Sequence, residues 1–513
     1  MSEVLDSWRK VITPHPDIAS GNYRNSEFMA DLGYAAKGEG SSEYTDSVEF
    51  FRRTYLTDGL RALLVGSLKR LGGRGGDPVV QIRTAFGGGK THSMLALYHL
   101  LKGNANVWGL PEVRKVVEEA GGLPRANVAV LACTHLEVAS AVDVCGHKVN
   151  TLWGNMAAQL GGYEYVRSAD LASVPPGTDA LRRMFDSLGP CLVLIDELVA
   201  YGRTLRNDEQ SHKYGLLPSG TFESFLTFIH QLTEAAKGSR NSLVAATLPE
   251  SEMEAGDANG IHALHSAEHI FGRIESVWQP IAANEGFEIV RRRLFLDGDN
   301  LEARERTADA FSSMDKDNAG DFPDETRDDK YMERIISCCP FHPELFDRLY
   351  GEWSTLEKFQ RTRGVLRLMA EVVYRLWIGD DKNPLIMPGS LPLWDNKVSE
   401  ELISALPDRR ETWNPIVDHD IDGYNAISSR LDARSRFSEY SAARRASRTI
   451  LLGSAPSART QTLRGIDEAH VRLGSVQPGE NISVYNEAVN ALKEELSYLY
   501  FDDGRLWFDT RPT

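Results

Sequence analysis

The sequence predicts an α/β fold built on a parallel sheet, and three observations support this prediction. Four short apolar runs, rich in β-branched residues, are separated by segments long enough for helices. Such runs are typical of parallel strands, because helices cover both faces of the sheet. A glycine-rich segment, Gly87–Gly89, follows the first run, and two carboxylates, Asp196 and Glu197, follow the third. The four predicted strands are residues 79–82, 128–133, 191–195 and 242–247.

The other elements follow in chain order. Apolar residues at three- and four-residue steps predict a helix from Phe50 to Leu71, which the glycines of 72–76 end. A fifth strand is predicted at 275–279. The charged segment 297–329 is predicted to be an acidic surface insertion, and 499–508 to be a hairpin around an Asp-Asp-Gly turn. Further helices are predicted at 288–296, 331–338, 343–350 and 363–377.

A length of 513 residues predicts about three domains. The elements place them in four expected segments of the chain. Residues 1–76 are expected to be an N-terminal helical segment. Residues 77–284 form the α/β core, and 285–384 a helical lid that carries the acidic insertion. Residues 385–513 form a helical C-terminal region, in which the last helix and the hairpin resemble a winged helix.

Composition excludes several classes of function. There are 57 basic and 73 acidic side chains, a net charge of −16, so bulk charge does not favour nucleic acid or a membrane surface. The five cysteines contain no C-x-x-C pair that would indicate zinc. Adjacent Cys338 and Cys339 leave two interpretations, packed thiols or a vicinal disulfide. No signal peptide and no apolar run of ~20 residues is present, so we expect a soluble, cytoplasmic protein without a membrane partner.

The glycine-rich segment is a candidate phosphate-binding loop. It lies between a predicted strand and a predicted helix, where backbone N–H groups and the helix N-terminus favour an anion. Lys90 would reach the β- and γ-phosphates of ATP, and the Thr91 hydroxyl would bind Mg²⁺. The usual pattern G-x-x-x-x-G-K-[ST] is altered at its first position, where Thr84 stands, so a glycine-rich turn with a chance lysine is the alternative. The cofactor-binding candidates are Gly87, Gly88, Gly89, Lys90, Thr91 and His92.

The carboxylates after the third strand complete a candidate ATPase site. Asp196 would bind Mg²⁺ together with Thr91, and Glu197 would polarise the attacking water. Ligands in open α/β sheets bind at the carboxyl ends of strands, so both motifs should meet in one crevice. The alternative is that Asp196 and Glu197 are two solvated turn residues.

Three further residues are catalytic candidates. Thr247 ends the fourth strand and could hold the attacking water, unless local backbone bonds satisfy its hydroxyl. Arg273 could act as an arginine finger on a neighbouring subunit, with a surface helix end as the alternative. Arg367 could reach the phosphates from the lid, and Arg363 is its nearest rival.

In this order the motifs resemble those of the AAA+ P-loop ATPases. More closely, the chain resembles large bacterial ATPases that are classed as a domain of unknown function. Their genes often stand in anti-phage defence islands, and they are similar to the P-loop subunit of bacteriophage-exclusion systems. The motifs that carry this resemblance are Phe50–Leu60, Thr84–His92, Leu194–Gly202, Pro340–Leu345 and Phe359–Leu368.

The resemblance implies a site and a length. In that family the Thr84 variant of the loop is normal, and the ATPase residues map onto Lys90, Thr91, Asp196 and Glu197. Thr247, Arg273 and Arg367 are matched to the family only by their order along the chain and not by distinctive flanking residues. Members commonly extend past residue 513, so we expect this sequence to be a piece of a longer protein, a short natural member being the alternative.

These inferences lead to a Mg²⁺-dependent ATPase, acting as the motor or switch of a phage-defence complex and assembling as a ring or nucleotide-bridged homo-oligomer. The alternative is a nucleotide-gated scaffold that binds ATP and hydrolyses little of it. A signalling NTPase would need a repeat or effector domain, and the sequence shows none. Other defence proteins are expected partners. DNA is a candidate partner through a basic cluster, for which a solvated or acid-paired helix face is the alternative: Arg434, Arg436, Arg444, Arg445 and Arg448.

Overall fold

The chain folds into two compact units. The sheet unit is Met29–Ala282, and the helical unit joins Met1–Phe28 to Ala283–Thr513. The expected segment 1–76 is therefore divided, because its first 28 residues pack with the C-terminal half of the chain. The computed structural model describes residues 5–512, without 24–29, 84–88, 104, 250–251, 257, 272–276, 279–284, 297, 299, 360–361, 407–409, 435 and 455–463.

A five-stranded parallel sheet forms the centre of the sheet unit, as predicted from the apolar runs. Its strand order is β2-β5-β6-β1-β7, and every neighbouring pair is parallel. A separate antiparallel hairpin, β3-β4, follows β2. The strands are β1 Val79–Arg83, β2 Asn127–Ala132, β3 Val142–Val144, β4 His147–Val149, β5 Cys191–Asp196, β6 Ser242–Leu248 and β7 Val277–Trp278.

Helices occupy both faces of this sheet. The α-helices of the unit are Leu32–Lys37, Ser42–Thr45, Ser47–Arg53, Asp58–Leu71, Lys90–Lys102, Ala105–Trp108, Pro111–Ala120, Leu152–Leu160, Arg167–Leu171, Thr178–Leu188, Leu198–Thr204, Asp208–Tyr214, Phe222–Gly238, Glu252–Ala255 and Ala258–Phe271. Single 3₁₀ turns lie at Cys133–His135 and Tyr163–Tyr165.

Alternate strand residues enter two separate cores. Leu192 and Leu194 of β5 pack with the helix after β1, Lys90–Lys102. Val193 and Ile195 pack on the other face, with the helices that follow β2, β5 and β6. The helix after β1 therefore lies on one face of the sheet, and the helix after its neighbour β6 lies on the other. Ligands of open α/β sheets bind at such a switch point, at the carboxyl ends of the strands.

The helical unit has its own core, which includes Trp8, Phe341, Trp353 and Phe508. Its α-helices are Trp8–Val11, Pro16–Ser20, Gly286–Leu294, Leu301–Asp317, Asp329–Cys338, Pro343–Gly351, Thr362–Ile378, Asn396–Ile403, Arg410–Ile416, Ile427–Asp432, Ala442–Ser454, Glu468–Leu473 and Ile482–Glu495. A π-helical turn spans Val417–Ile421, and 3₁₀ turns span Asp324–Arg327, Trp353–Thr355, Glu357–Phe359 and Pro388–Ser390.

The unit ends in a three-stranded sheet, ordered β8-β10-β9. Its strands are β8 Ile466–Asp467, β9 Leu499–Asp502 and β10 Arg505–Phe508. The two residues between β9 and β10, Asp503 and Gly504, both have positive φ (46° and 73°), as a two-residue hairpin turn requires. The predicted hairpin is confirmed, while the winged-helix assignment stays a prediction.

The predicted acidic insertion at 297–329 is wrong. Leu301–Asp317 is a helix, and Ala303, Ala308 and Phe311 are buried in the core of the helical unit. The many charges of this segment conceal an apolar stripe at helical spacing, because its members are mostly small. Neither Cys338 nor Cys339 forms a disulfide, and both side chains are buried, which selects packed thiols over a vicinal disulfide. Among the described residues, no helix is long and apolar enough to span a membrane.

Candidate active site

The carboxyl end of β5 forms a sharp elbow. Asp196 is the last strand residue, and the helix Leu198–Thr204 starts two residues later. Glu197 makes the whole turn in the left-handed conformation, with φ 59° and ψ 44°, which a non-glycine residue seldom adopts. The elbow buries Asp196, whose exposed fraction is 6 %, and leaves Glu197 exposed. Backbone strain of this kind is often found at functional sites.

Thr247, on the neighbouring strand β6, forms hydrogen bonds with both Asp196 and Glu197. Its Oγ1 donates a hydrogen bond to Asp196 Oδ1 (2.7 Å) and accepts one from the backbone N–H of Glu197 (2.8 Å). The residue lies on β6, between β5 and β1, and is 1 % exposed. The single proton of its hydroxyl is therefore engaged inside the protein.

The helix that follows β1 brings Lys90 and Thr91 to the same edge. Gly89 has φ 86°, and Lys90 is the first residue of the helix, so the positive end of the helix dipole lies here. Thr91 and Lys90 both lie close enough to Asp196 to lower the pKa of its carboxyl. The structure thus brings together Lys90, Thr91, Asp196 and Thr247, with Glu197 beside them. Gly87, Gly88 and Thr84 lie outside the described residues.

The electrostatics of Asp196 favour a bound cation. Burial raises the pKa of its carboxyl above the ordinary value, and the charge of Asp31 adds to this shift. Hydrogen bonds from Thr247 and Thr91 and the charge of Lys90 lower the pKa, but they do not cancel the effect of burial. A divalent cation at this carboxylate would supply the missing positive charge.

His92 faces away from the carboxylates. Its Nε2 lies 3.0 Å from Thr54 Oγ1, and its ring lies 4.6 Å from that of Phe50. The Thr54 hydroxyl donates its one proton to the carbonyl of Phe50 (2.7 Å), so His92 Nε2 acts as the donor. These contacts connect the first turn of the helix to the segment Phe50–Leu60, one of the motifs noted in the sequence.

Three residues near Asp196 were missed in the sequence. Asp31 caps the helix Leu32–Lys37 through the N–H of Tyr34 (2.9 Å), and its other oxygen lies 2.8 Å from Nε2 of His135. Burial raises the pKa of the Cys133 thiol well above its ordinary value, and the charges of Asp196 and Glu197 add to the shift. Cys133 and His135 directly follow β2. Polar residues at the end of a strand were the available indication, and they could have been used for β2 as they were for β5.

The two candidate arginines are not part of this described arrangement. Arg273 lies outside the described residues. Arg367 belongs to the helical unit, where its Nε lies 3.1 Å from Glu401 Oε2. Its rival Arg363 lies in the first turn of the same helix, Thr362–Ile378.

The basic cluster of the helical unit is matched by carboxylates. Arg444 and Arg448 each lie 2.7 Å from Oδ1 of the fully buried Asp422. The three other arginines also have acidic partners, which are Glu495 for Arg434, Glu487 for Arg436 and Glu480 for Arg445. The alternative of an acid-paired face is therefore the one that the contacts support, and these arginines do not form an unpaired basic patch.

No group of three or more His, Cys, Asp or Glu side chains among the described residues could hold a metal ion by itself. In nucleotide sites Mg²⁺ usually takes one or two protein oxygens and completes its shell with phosphates and water. The hydroxyl of Thr91 and the carboxylate of Asp196 are oxygen ligands of that kind.

Comparison with known proteins gives two family matches. Residues 17–287, more than half of the chain, match the DUF499 N-terminal domain, and residues 282–467 match the DUF499 second domain. No curated protein is significantly similar. A solved structure of PCH-2 from C. elegans aligns at 13% identity over 70% of this chain and 73% of that chain, but its TM-score of 0.26 is too low to carry an argument. The two domain matches show that the chain belongs to the DUF499 family.

Proposed function

We propose that this protein binds ATP with Mg²⁺ at the carboxyl edge of its parallel sheet and hydrolyses it. One observation carries the proposal. The side chains of Thr91 and Lys90, at the start of a helix, act on the same buried carboxylate, Asp196, that Thr247 holds from the neighbouring strand. A hydroxyl, an ammonium, a helix N-terminus and a carboxylate are the groups that a Mg²⁺–triphosphate complex requires.

The residues present have distinct expected roles. Thr91 and Asp196 would hold Mg²⁺, and Lys90 would contact the terminal phosphates. When bound, Mg²⁺ neutralises the charge that develops on the phosphate oxygens. Glu197, exposed at the elbow, would orient a water molecule and take its proton as the water attacks the terminal phosphate. Gly87, Gly88, Gly89 and His92 complete the proposed cofactor segment, in which His92 supports the helix rather than the phosphates.

The finer assignments rest on the family resemblance. We propose an ATPase of the AAA+ type, with a helical lid, working in the cytoplasm as the motor or switch of a phage-defence complex. In such a protein Arg273 would act on the nucleotide of a neighbouring subunit within a homo-oligomer, and Arg367 would act from the lid. A DNA contact through the basic cluster is not part of this proposal, since carboxylates already pair with its arginines.

Nucleotide binding tests the site directly. Lys90→Ala should weaken the binding of ATP·Mg²⁺ by roughly 10- to 100-fold, the effect of one charge-assisted hydrogen bond, in isothermal titration calorimetry. Lys102→Ala, on the last turn of the same helix, is the matched control and should bind as the wild type does. Unchanged affinity in Lys90→Ala would contradict the site. Tight binding with no phosphate release by the wild type would favour the scaffold.

A further inference from the structure

The hydroxyl of Thr247 has no proton to offer a nucleotide. A hydroxyl carries one donor hydrogen and two acceptor lone pairs. Here the hydrogen is directed to Asp196 Oδ1 at 2.7 Å, and one lone pair accepts the N–H of Glu197 at 2.8 Å. With an exposed fraction of 1 %, the side chain lies inside the sheet and not on its rim. Donation to the terminal phosphate would require Thr247 to give up its bond to Asp196. The attacking water, which the sequence leads us to expect at Thr247, would find only the one remaining acceptor lone pair.

The bond to the Glu197 N–H acts at the most strained point of the elbow. In the left-handed conformation the N–H of Glu197 points sideways toward β6, and Thr247 is the partner that receives it. A β-branched side chain has few χ1 rotamers, so the oxygen of Thr247 is held in a fixed place. The same oxygen orients the carboxylate of Asp196. One side chain therefore contacts both the carboxylate of Asp196 and the backbone of Glu197.

We propose that Thr247 is a positioning residue, which clamps the Asp196–Glu197 peptide so that Asp196 faces the cation and Glu197 faces the attacking water. This inference rests on the proposed ATPase function, and it assigns to Thr247 an action through the two acids instead of a contact with ATP. Partners of this kind behind a metal ligand typically contribute 10- to 100-fold to metal affinity or activity.

Two substitutions separate the clamp from a nucleotide contact. Thr247→Val keeps the shape and β-branching of the side chain and removes its hydroxyl. We expect kcat to fall by roughly 10- to 100-fold and the Mg²⁺ concentration for half-maximal turnover to rise, while KM for ATP changes by less than about threefold. Thr247→Ser, which keeps the hydroxyl, should retain most of the wild-type turnover. Thr227→Val, a threonine on an exposed helix turn, is the matched control.

A second measurement does not need turnover. Hydrogen exchange of the peptide that spans 193–203, in the absence of nucleotide, should be faster in Thr247→Val than in wild type or Thr247→Ser, because the Glu197 N–H loses its acceptor. An exchange rate in Thr247→Val equal to that of the wild type would overturn the proposed positioning role of Thr247. A large rise in KM with unchanged kcat would overturn it in favour of a nucleotide contact. If the wild-type protein shows no ATP turnover that Lys90→Ala abolishes, the proposed function is refuted instead. The hydrogen-exchange rates would still test whether Thr247 holds the Glu197 N–H.

Discussion

The elbow at Glu197 predicts an unusual inversion of stability between glycine and alanine. At most helix and strand positions alanine is the more stabilising of the two residues. At φ 59° and ψ 44°, however, the Cβ of any L-residue is strained. Glu197→Gly should therefore be more stable than Glu197→Ala. Both variants lack the carboxylate, so the difference in their stability reports the backbone conformation at position 197.

The magnitude follows from two opposing effects. The left-handed conformation costs an L-residue ~1–2 kcal/mol, and glycine escapes this cost. Glycine also has more freedom in the unfolded chain, which costs it ~0.4–1 kcal/mol on folding. At the midpoints of the two ranges, the difference favours Glu197→Gly by ~0.8 kcal/mol. For a unit of about 250 residues, this corresponds to a melting temperature higher by ~1–4 °C.

Thermal and urea unfolding of the two variants measure this difference. Glu118, exposed on the helix Pro111–Ala120 of the same unit, provides the matched pair. There the order should reverse, with Glu118→Ala more stable than Glu118→Gly by ~1 kcal/mol. Equal or greater stability of Glu197→Ala over Glu197→Gly would refute the argument that the elbow stores strain.

Two further predictions concern the helical unit. Asp422→Ala leaves Arg448, which is mostly buried, and the half-buried Arg444 without their shared carboxylate, and should lower the free energy of unfolding by ~3–5 kcal/mol. Arg436→Ala, at an exposed ion pair, should cost under ~1 kcal/mol. Urea titrations with equal losses in both variants would contradict this. Burial raises the pKa of the Asp315 carboxyl from 3.8 to about 7, and neither of its oxygens has a hydrogen-bond partner among the described residues. Its contribution to stability is complete below pH 4 and is lost as the pH rises through 7, by ~2–4 kcal/mol in all. Asp315→Asn should flatten the pH dependence of unfolding between about pH 4 and 7, and an unchanged slope would count against the assignment.

The sheet and its acidic edge could be predicted because the local sequence determines them. Parallel strands covered on both faces require almost continuous apolar runs, and β1, β2, β5 and β6 satisfy that requirement. Their carboxyl ends meet at one edge by geometry alone. Asp196 and Thr247 therefore come together as soon as β5 and β6 pair in parallel.

Other features depend on contacts between distant segments, and local patterns do not reveal them. The contact of Asp31 with His135 joins residues 104 positions apart. In the sequence the arginines around position 440 resemble a basic patch, because acidic partners such as Asp422 are not their neighbours in the chain. In Leu301–Asp317 the small buried residues carried too weak an apolar signal to outweigh the charges around them.

Phosphate release from ATP in the presence of Mg²⁺ tests the central claim most directly. Wild-type protein should release phosphate at a steady rate, and Glu197→Gln should bind ATP but release phosphate at least ~100-fold more slowly, since it lacks the group that takes the proton of water. Glu118→Gln, an exposed change of the same chemistry, should match the wild type. Wild-type rates in Glu197→Gln, or no release by the wild-type protein, would contradict an ATPase centred on Asp196 and Glu197.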